Sequence, residues 1–578
     1  MYFDFFVKLP DAPGKYTYLK RGNVTYVKFE YDRIYDPEKK ITYPQRATIG
    51  KLSPENPTMI QPNQTFINYF PNEELPISES RMNRSSCLRA GTFIVLRKII
   101  KDYKLEEILG MYFKPRDLGL FLDLVVYSII AENNAGQYYP DYAYNHPLFT
   151  DDMKIYSDST VSDFLHSVTD DQSAGFLNEW NSERSHREKI YISYDATNKN
   201  SQAGDVNIVE YGKPKDDMGF PVFNYAVGYD INNREPLFYE KYPGSIVDIS
   251  QLKMMINKAS GYGYKKVGFI LDRGYFSKQN LDHMDKNGYS FVIMVKGMAD
   301  LVSSLILENK GSFENKRVCD MDGFGVYGKT VKKMLYATDQ KERYFHIYHS
   351  IGKEASERAR FEDELKDMKT YLMENQGEEL TFGPKYHKYF YLHYDMDGKT
   401  FLMPEENTIA TEREIDLCGY FVIITSEKMT AKEALHIYKS RDMSEKGFRG
   451  DKSYLGNKSL RTHSTESTSA KIFIEFVAMI VRNKFYTCLA DEMKLLNKKP
   501  NYMTVPAAIR ELEKIELTRQ SDNIYRLDHA VTATQKKILN AFGLTAKNIE
   551  YRANWISKEL KISMKKEGNK DGKNQEES

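Results

Sequence analysis

The sequence has few cysteines, and none of them are closely spaced. Its four cysteines are Cys87, Cys319, Cys418 and Cys488, with no C-x-x-C pair among them. Disulfide frameworks and thiolate zinc sites both depend on cysteines that recur at short, regular spacing, so this pattern argues against both. We therefore expect a protein of the reducing cytoplasm.

Long hydrophobic runs are also missing. The most apolar stretches, 118–131 and 472–481, are short or interrupted by Asp123 and Glu475, whereas a membrane-spanning helix needs about 20 apolar residues. The first residues, MYFDFFVKLPDAPGK, do not place a basic segment before an apolar one, as a secretion signal does. The sequence predicts neither a membrane span nor a secretion signal.

Neither sign of charge is in excess. The 82 Lys and Arg residues balance 81 Asp and Glu residues to a net charge of +1, so no global field attracts nucleic acid or an anionic membrane. Any binding site for a polyanion must be local. With 41% hydrophobic residues, the chain can bury a core and is not compositionally disordered. Its length of 578 residues predicts about three or four structural units.

Changes in pattern along the chain divide it into seven predicted segments. They are a strand-rich module (1–85), a helical region (86–187), a first α/β core segment (188–297), a β-rich insertion (298–418), a second core segment (419–495), a helical C-terminal region (496–565) and a disordered tail (566–578). We expect a mixed α/β fold.

The first core segment has the most informative order of elements. Three apolar stretches, KIYISYDAT, VFNYAVGYD and PLFYEKYPG, predict strands because turn-forming residues separate them. Helix, strand, helix and strand follow, giving the order β-β-β-α-β-α-β. Since a crossover through a helix favours parallel neighbours, we expect a mixed sheet with three antiparallel strands and two more added in parallel.

Two aspartates stand where strands of this segment give way to polar residues. Asp195 closes the first predicted strand, and Asp272 closes the strand FILD after the first crossover helix. If those strands are neighbours, about 4.8 Å apart, both carboxylates can approach one divalent cation. Without a cation, close like charges would resist ionisation.

A third acid is expected from the helix that begins at Thr430, where Thr430 and Glu433 form a capping-box pair. The candidate is Glu445, because of its companions. At about 100° per residue, Tyr438, Arg441, Glu445 and Lys452 would share one helix face. Such a face suits a phosphate backbone, since Arg and Lys neutralise phosphate oxygens and a phenol donates a hydrogen bond.

The same stretch carries a local excess of positive charge. Between Lys439 and Arg461 there are seven basic residues and three acidic ones, a net charge of +4. In a nearly neutral chain, this is where we expect a polyanion to bind.

These residues resemble a known family. Asp195 in YDAT, Asp272 in DRGY and the spacing Tyr438-x2-Arg441-x3-Glu445-x6-Lys452 are similar to the DDE transposases of bacterial insertion sequences, in the branch with the Tyr-Arg-Glu-Lys signature. The similarity extends loosely over residues 185–550.

The resemblance implies an RNase H-like catalytic core with a β-rich insertion before the glutamate. The 173-residue gap from Asp272 to Glu445 agrees with it. It also implies Mg²⁺-dependent cleavage at the ends of the element, with two ions expected and Mn²⁺ as a substitute. The freed 3′-hydroxyl would then attack target DNA, in related enzymes after a hairpin intermediate.

The resemblance further assigns site residues and partners. Metal would be held by Asp195, Asp272 and Glu445. DNA would be contacted by Tyr438, Arg441, Lys452 and Arg273. The partners would be double-stranded DNA, both terminal inverted repeats and target, and a second copy in a synaptic homodimer. The helical region before residue 187 would bind the ends, and the protein would act at the bacterial nucleoid in the cytoplasm.

Other interpretations stay open at this stage. Asp195 and Asp272 are also the residues that favour strand ends through local hydrogen bonds, and Glu445 alone resembles a solvated helix residue. A second possibility is an inactive or domesticated copy that only binds DNA. A third is a nuclease on the same core that does not transpose.

Overall fold

The computed structural model describes the chain apart from residues 1, 4, 74, 76–83, 185–188, 201–205, 212–220, 247, 265, 297, 340, 443–459, 463, 500–501, 521–523 and 575–578. Contacts group it into two units, Met1–Phe164 with Lys484–Ser578, and Leu165–Asn483. Both units combine helices and strands, so the fold is mixed α/β, as the sequence predicts.

The N-terminal residues form a small sheet over one short helix. Its strand order is β1-β5-β4-β3-β2 among the described residues. The strands are β1 (Val7–Lys8), β2 (Tyr16–Arg21), β3 (Val24–Asp36), β4 (Ile41–Leu52) and β5 (Met59–Pro62). Alternation in VTYVKFEY places Val27 inside. There it packs with Ile49 of β4, Ile60 of β5 and Phe66 of the helix Gln64–Tyr69. This part is strand-rich, as the sequence predicts.

Helices dominate the rest of the first unit before residue 165. After the short strand β6 (Cys87–Arg89), the helices are Gly91–Asp102, Leu105–Gly110, Pro115–Ala131, Tyr139–Asn145 and Asp158–Ser167. Among the described residues, no single helix is long and apolar enough to cross a membrane. Pro115–Ala131 and Gly136–Asn145 meet that test only as a pair, across an 89° bend.

The second unit is built on a nine-stranded sheet within the described part of the chain, in the order β12-β13-β14-β17-β11-β10-β7-β8-β9. Five of these strands come from the first core segment. They are β7 (Ile190–Asn200), β8 (Val222–Asp230), β9 (Glu235–Pro243), β10 (Val267–Leu271) and β11 (Ser290–Met294). Strands β7, β8 and β9 are antiparallel, and β10 and β11 add in parallel. The predicted order and strand directions are confirmed.

The segment predicted as an insertion extends this sheet. Its strands are β12 (Asp320–Met321), β13 (Val326–Met334), β14 (Glu342–His349), β15 (Phe390–Tyr394) and β16 (Phe401–Glu406), and β17 (Tyr420–Thr425) follows. β17 pairs with both β11 and β14, so β12, β13 and β14 continue the same sheet. The hairpin β15–β16 instead packs against the charged helix Ile351–Glu374 through a separate apolar cluster. The hairpin and this helix therefore share an apolar core separate from that of the nine-stranded sheet.

Besides strands, the described residues of the second unit form helices. They are Asp170–Ser182, Asp248–Gly261, Lys278–Lys286, Ala299–Asn309, Ile351–Glu374, Pro384–Tyr389, Thr408–Leu417, Ala431–Ser440 and Thr465–Leu495. The capping box at Thr430 and Glu433 is present. The helix that it starts runs to Ser440 and Asp442 is again helical, while the predicted continuation through Glu445 lies outside the described residues.

The C-terminal part differs from the prediction in two ways. Between the helices Val505–Leu512 and Ala533–Asn540 lie two strands, β18 (Glu516–Arg519) and β19 (Tyr525–Leu527), and β18 pairs with β6. The last helix, Ala546–Asn574, includes most of the segment predicted as a disordered tail. Extending an existing helix is easier than starting one, and this continuation includes Gly568 and Gly572, which are poor helix formers.

Candidate active site

The backbones of Asp195 and Asp272 lie at the same level on neighbouring parallel strands. β7 and β10 pair from Ile190 opposite Val267 to Tyr194 opposite Leu271. The next residue of β7 is Asp195, and the residue directly after β10 is Asp272. Adjacent strands are about 4.8 Å apart. The structure therefore brings these two sequence positions together at one edge of the paired region.

A glycine allows this strand pairing. Gly268 of β10 lies opposite Tyr191 of β7, and a Cβ atom at Gly268 would come within 2.5 Å of the Tyr191 ring. Any larger residue would push the ring or the strand away. The alignment of the two aspartates thus depends on a glycine near the start of β10.

The Asp272 carboxylate is paired with a cation. Its Oδ1 lies 2.7 Å from Nη1 of Arg441, and the side chains are 41% and 15% exposed, respectively. Arg441 directly follows the helix Ala431–Ser440, so the capped helix carries it to the strand end. The end of β10 therefore carries a partly exposed carboxylate in direct contact with a largely buried guanidinium.

Tyr438 lies beneath Arg441 and belongs to the core. It is 6% exposed and packs in the cluster of Ile270, Val292 and Leu435. The Arg441 guanidinium lies 5.3 Å from the centre of the Tyr438 ring, within the range of a cation–π contact. The face that the sequence assigns to DNA therefore points its aromatic ring at the sheet, because Ala431, Ala434, Leu435 and Tyr438 form the apolar stripe of the helix. A phosphate contact by the Tyr438 hydroxyl stays a prediction.

Arg273 is exposed next to the site. It begins a short 3-10 turn, Arg273–Tyr275, directly after Asp272. Tyr275 of the same turn is buried and meets the Tyr194 ring edge-on, with 5.6 Å between ring centres. The buried tyrosine holds the turn and leaves the arginine in solvent, where it can reach a phosphate.

The remaining predicted residues, Glu445 and Lys452, lie outside the described residues. The chain is described again from Leu460, whose N–H donates to the carbonyl oxygen of Asn200 at the end of β7, at 3.2 Å. The described residues on either side of 443–459 therefore both contact this part of the unit, since Arg441 pairs with Asp272 and Leu460 bonds to the strand that carries Asp195.

The donor chemistry suits a hard divalent cation. Carboxylate oxygens are the ligands that Mg²⁺ prefers, and the Asp272 carboxylate is exposed enough to reach an ion. Among the described side chains no group of three His, Cys, Asp or Glu residues forms a metal site; neither Glu445 nor the side chain of Asp195 is in that set. The metal ligands stay a prediction.

Sequence reasoning did not select three charged residues that are buried in this unit. Lys199 lies on β7, and Lys471 and Glu475 lie on the helix Thr465–Leu495. A signal was available, because Lys471 and Glu475 are charged residues four positions apart in the otherwise apolar run AKIFIEFVAMIV. Buried charges of this kind need partners.

The comparisons with known proteins concern the same segment. The family described as the transposase DDE domain matches residues 195–481, a range that begins at Asp195 and includes Asp272 and Arg441. The match supports the interpretation of this segment as a DDE transposase domain. No curated protein matches the chain.

One solved structure, the cryo-EM structure of the piggyBac transposase synaptic complex with hairpin DNA, shares 7% identity with this chain. The alignment covers 84% of this chain and 87% of that one, with a TM-score of 0.33. A likeness of that size carries no argument about this fold.

Proposed function

We propose that this protein is a DNA transposase that cuts DNA at the ends of an insertion sequence and joins the freed 3′-hydroxyl to target DNA, in a cut-and-paste reaction. One observation carries the proposal. Asp195, within β7, and Asp272, directly after β10, stand at the same level next to the paired stretch of these parallel strands, within the segment that matches the transposase DDE domain.

The strand order of the second unit supports an RNase H-like core. Three antiparallel strands are followed by two parallel ones, and the first aspartate is on the first strand. In that arrangement, β10 ends beside Asp195 of the longer strand β7, and carboxylates from different parts of the chain can converge there. Glu445 would complete the set from the segment that begins after Arg441.

Asp195, Asp272 and Glu445 would hold two Mg²⁺ ions, or Mn²⁺ in their place. When bound, such ions stabilise the attacking and leaving oxygens of a phosphodiester and lower the pKa of a nucleophilic water. The exposed side of Asp272 is the part of its carboxylate that would face an ion. Because Arg441 already neutralises this carboxylate, loading of the site would compete with the Asp272–Arg441 contact.

Arg441 would have a second role at the phosphate backbone. A guanidinium has five N–H donors and binds phosphate oxygens in pairs, so it can keep one contact near Asp272 and offer others to the strand. The Tyr438 ring beneath it restricts its position. Arg273 and Lys452 would add phosphate contacts on either side.

The partner would be double-stranded DNA, as terminal inverted repeats and as target. Two copies would pair two ends in a synaptic homodimer, and residues 86–187 would bind the ends. The protein would work in the bacterial cytoplasm, at the nucleoid.

The decisive experiment is a cleavage assay with purified protein, Mg²⁺ and duplex DNA that carries the sequences flanking its own gene. We expect cleavage at the element ends and joined products. Alanine variants of Asp195, Asp272 and Glu445 should lose both while still binding DNA. The matched control is Asp300→Ala, an exposed aspartate at the start of the helix Ala299–Asn309.

Each other outcome has a distinct meaning. Cleavage that survives all three substitutions would refute the proposed site. Binding of end DNA without cleavage would indicate a copy that acts only as a DNA-binding protein. Cutting without end preference and without joined products would indicate a nuclease.

A further inference from the structure

A fully buried ion pair joins the strand that carries Asp195 to a core helix. Nζ of Lys199 lies 2.7 Å from Oε2 of Glu475, and the side chains are 0% and 2% exposed. Lys199 also lies over the Tyr225 ring, 4.5 Å from its centre. Lys and Glu are almost never fully buried unless they are paired, and desolvation makes such a pair an inefficient way to stabilise a fold. Its presence therefore calls for a reason other than stability.

A second buried lysine, Lys471, interacts electrostatically with the Glu475 carboxylate. Lys471 lies one helical turn before Glu475 and is 5% exposed. Its Nζ donates to the carbonyl oxygen of Arg461 at 3.2 Å. Burial lowers the pKa of Lys471 to about 8, while the negative charge of Glu475 opposes that shift and the positive charge of Arg461 adds to it. Two buried lysines and one buried glutamate thus form one cluster, defined here as the lysine–glutamate cluster.

The lysine–glutamate cluster holds two parts of the chain that matter for the site. Lys199 is four residues after Asp195 on β7. Arg461 is two residues after 443–459, the stretch that contains Glu445. Leu460 adds a backbone contact to Asn200, at 3.2 Å. The strand of one predicted metal ligand and the returning end of the segment of another are therefore fixed to the same helix.

We propose that Lys199, Lys471 and Glu475 are positioning residues for the DNA reaction, which hold the end of the Glu445 segment at a fixed place along the strand of Asp195. This inference rests on the proposed function. Apolar contacts tolerate small slides, whereas a buried ion pair or a hydrogen bond to one carbonyl oxygen is satisfied in a single arrangement. A displacement of about 1 Å in a reacting group can cost about a hundredfold in rate.

The sharpest test is Lys471→Met. This change releases the Arg461 carbonyl and leaves a balanced pair, Lys199 with Glu475, so the fold should be retained. We expect the single-turnover rate of end cleavage to fall by about tenfold to a hundredfold. The affinity for end DNA and the thermal midpoint should stay close to those of the unaltered protein.

A second variant separates positioning from stability. In Lys199→Met/Lys471→Met/Glu475→Leu all three charges are replaced by apolar groups of similar size, which often preserves or increases stability. The variant should fold, bind end DNA and cleave slowly. The matched control replaces another buried ion pair of this unit, Arg184 with Glu235, whose atoms are 2.9 Å apart, by Met and Leu. That pair does not involve β7, so its loss should leave the cleavage rate of the folded protein unchanged.

The outcomes distinguish this inference from the proposed function. If the unaltered protein does not cleave DNA, the proposed function fails. If it cleaves and both cluster variants cleave at the same rate, the positioning role is overturned and the proposed function stands. Should the triple variant fail to fold, the Lys471→Met rate decides alone. A fall in DNA affinity that accounts for the whole loss of cleavage would also overturn the positioning role.

Discussion

Two ion pairs of the second unit connect the nine-stranded sheet to a helix, yet their surroundings differ. Asp272 and Arg441 meet at the edge of the sheet, where the carboxylate is 41% exposed. Lys199 and Glu475 meet inside, where neither side chain exceeds 2% exposure. The N–O distance is 2.7 Å in both. Geometry alone therefore does not distinguish them, and solvent access does.

Solvent access decides whether a partner can be exchanged. At the exposed pair, water and ions screen the attraction, and such pairs contribute about 0–1 kcal/mol. A divalent cation or a phosphate can replace either partner at little cost. At the buried pair, removing one partner leaves an uncompensated charge in the interior. The edge pair is thus suited to a reaction that exchanges ligands, and the interior pair to holding its surroundings fixed.

The largest effect that would sharpen this contrast is on stability. Glu475→Leu leaves Lys199 and Lys471 buried without their carboxylate, so the free energy of unfolding should fall by about 3–5 kcal/mol. Chemical denaturation gives this value directly. The matched change at the edge, Arg441→Met, should cost less than about 1 kcal/mol. Equal losses at the two sites would contradict the contrast.

The second effect is on activity, and here the larger loss is expected at the Asp272–Arg441 pair rather than at the buried pair. Asp272→Asn keeps the size of the side chain and removes its charge, so cleavage of end DNA should fall by about a hundredfold or more if the carboxylate holds a metal ion. The thermal midpoint should change little. Asp300→Asn serves as the control. A variant with wild-type cleavage would remove Asp272 from the site.

A buried acid in the first unit, Asp123, provides a comparison without a lysine partner. The Asp123 carboxylate accepts hydrogen bonds from the N–H groups of Phe149 and Thr150 and from the Tyr139 hydroxyl. Burial raises the pKa of Asp123 to about 7, against the effect of these donors. In the unfolded chain the pKa is about 3.9. From about pH 4 to pH 7, the folded state keeps a proton that the unfolded state has lost.

This carboxyl should therefore reduce stability as the pH rises through that window. Its contribution to the free energy of unfolding should fall by up to about 1.4 kcal/mol per pH unit. Asp123→Asn cannot titrate, so denaturation curves at pH 5 and pH 7 should differ less in the variant than in the unaltered protein. An identical pH dependence in both would mean that Asp123 ionises at its ordinary pKa.

The smallest expected effect concerns salt. If Arg441 contacts one phosphate, Arg441→Ala should reduce the slope of log affinity against log salt by about 0.9. Lys452→Ala should do the same, and Lys428→Ala, an exposed lysine before the capped helix, is the control. An unchanged slope in the first two variants would mean that these side chains do not face DNA.

Local pattern predicted much of the fold. The order of strands β7 to β11 and the capping box at Thr430 follow from residues close in sequence. The strands β18 and β19 were missed because each is short, and because their sheet is completed by β6, which pairs with β18 from more than 400 positions away. Three or four residues carry too little periodicity to outweigh the helices around them.

The placement of Asp195 and Asp272 on neighbouring strands was predictable from the apolar stretches before them, whereas their contacts were not. The prediction that Asp195 closes its strand is wrong, because β7 continues to Asn200 by pairing with β8. The pairing of Asp272 with Arg441, and of Lys199 with Glu475 across 276 positions, depends on tertiary packing that no local spacing encodes. The sequence assigned Tyr438 to a phosphate-binding face, whereas the structure packs its ring in the apolar stripe of the helix Ala431–Ser440.

The residue-by-residue alignment of β7 with β10 has a practical consequence for engineering this chain. A single-residue insertion inside 190–194 or 267–271 would offset one aspartate from the other by about 3.3 Å and turn the following side chains to the opposite side of the sheet. The turn at 37–40 between β3 and β4 is exposed and belongs to neither strand of that alignment. Epitope tags or fluorescent reporters therefore belong in such a turn, and linker-scanning libraries should show a sharp boundary between the two kinds of position.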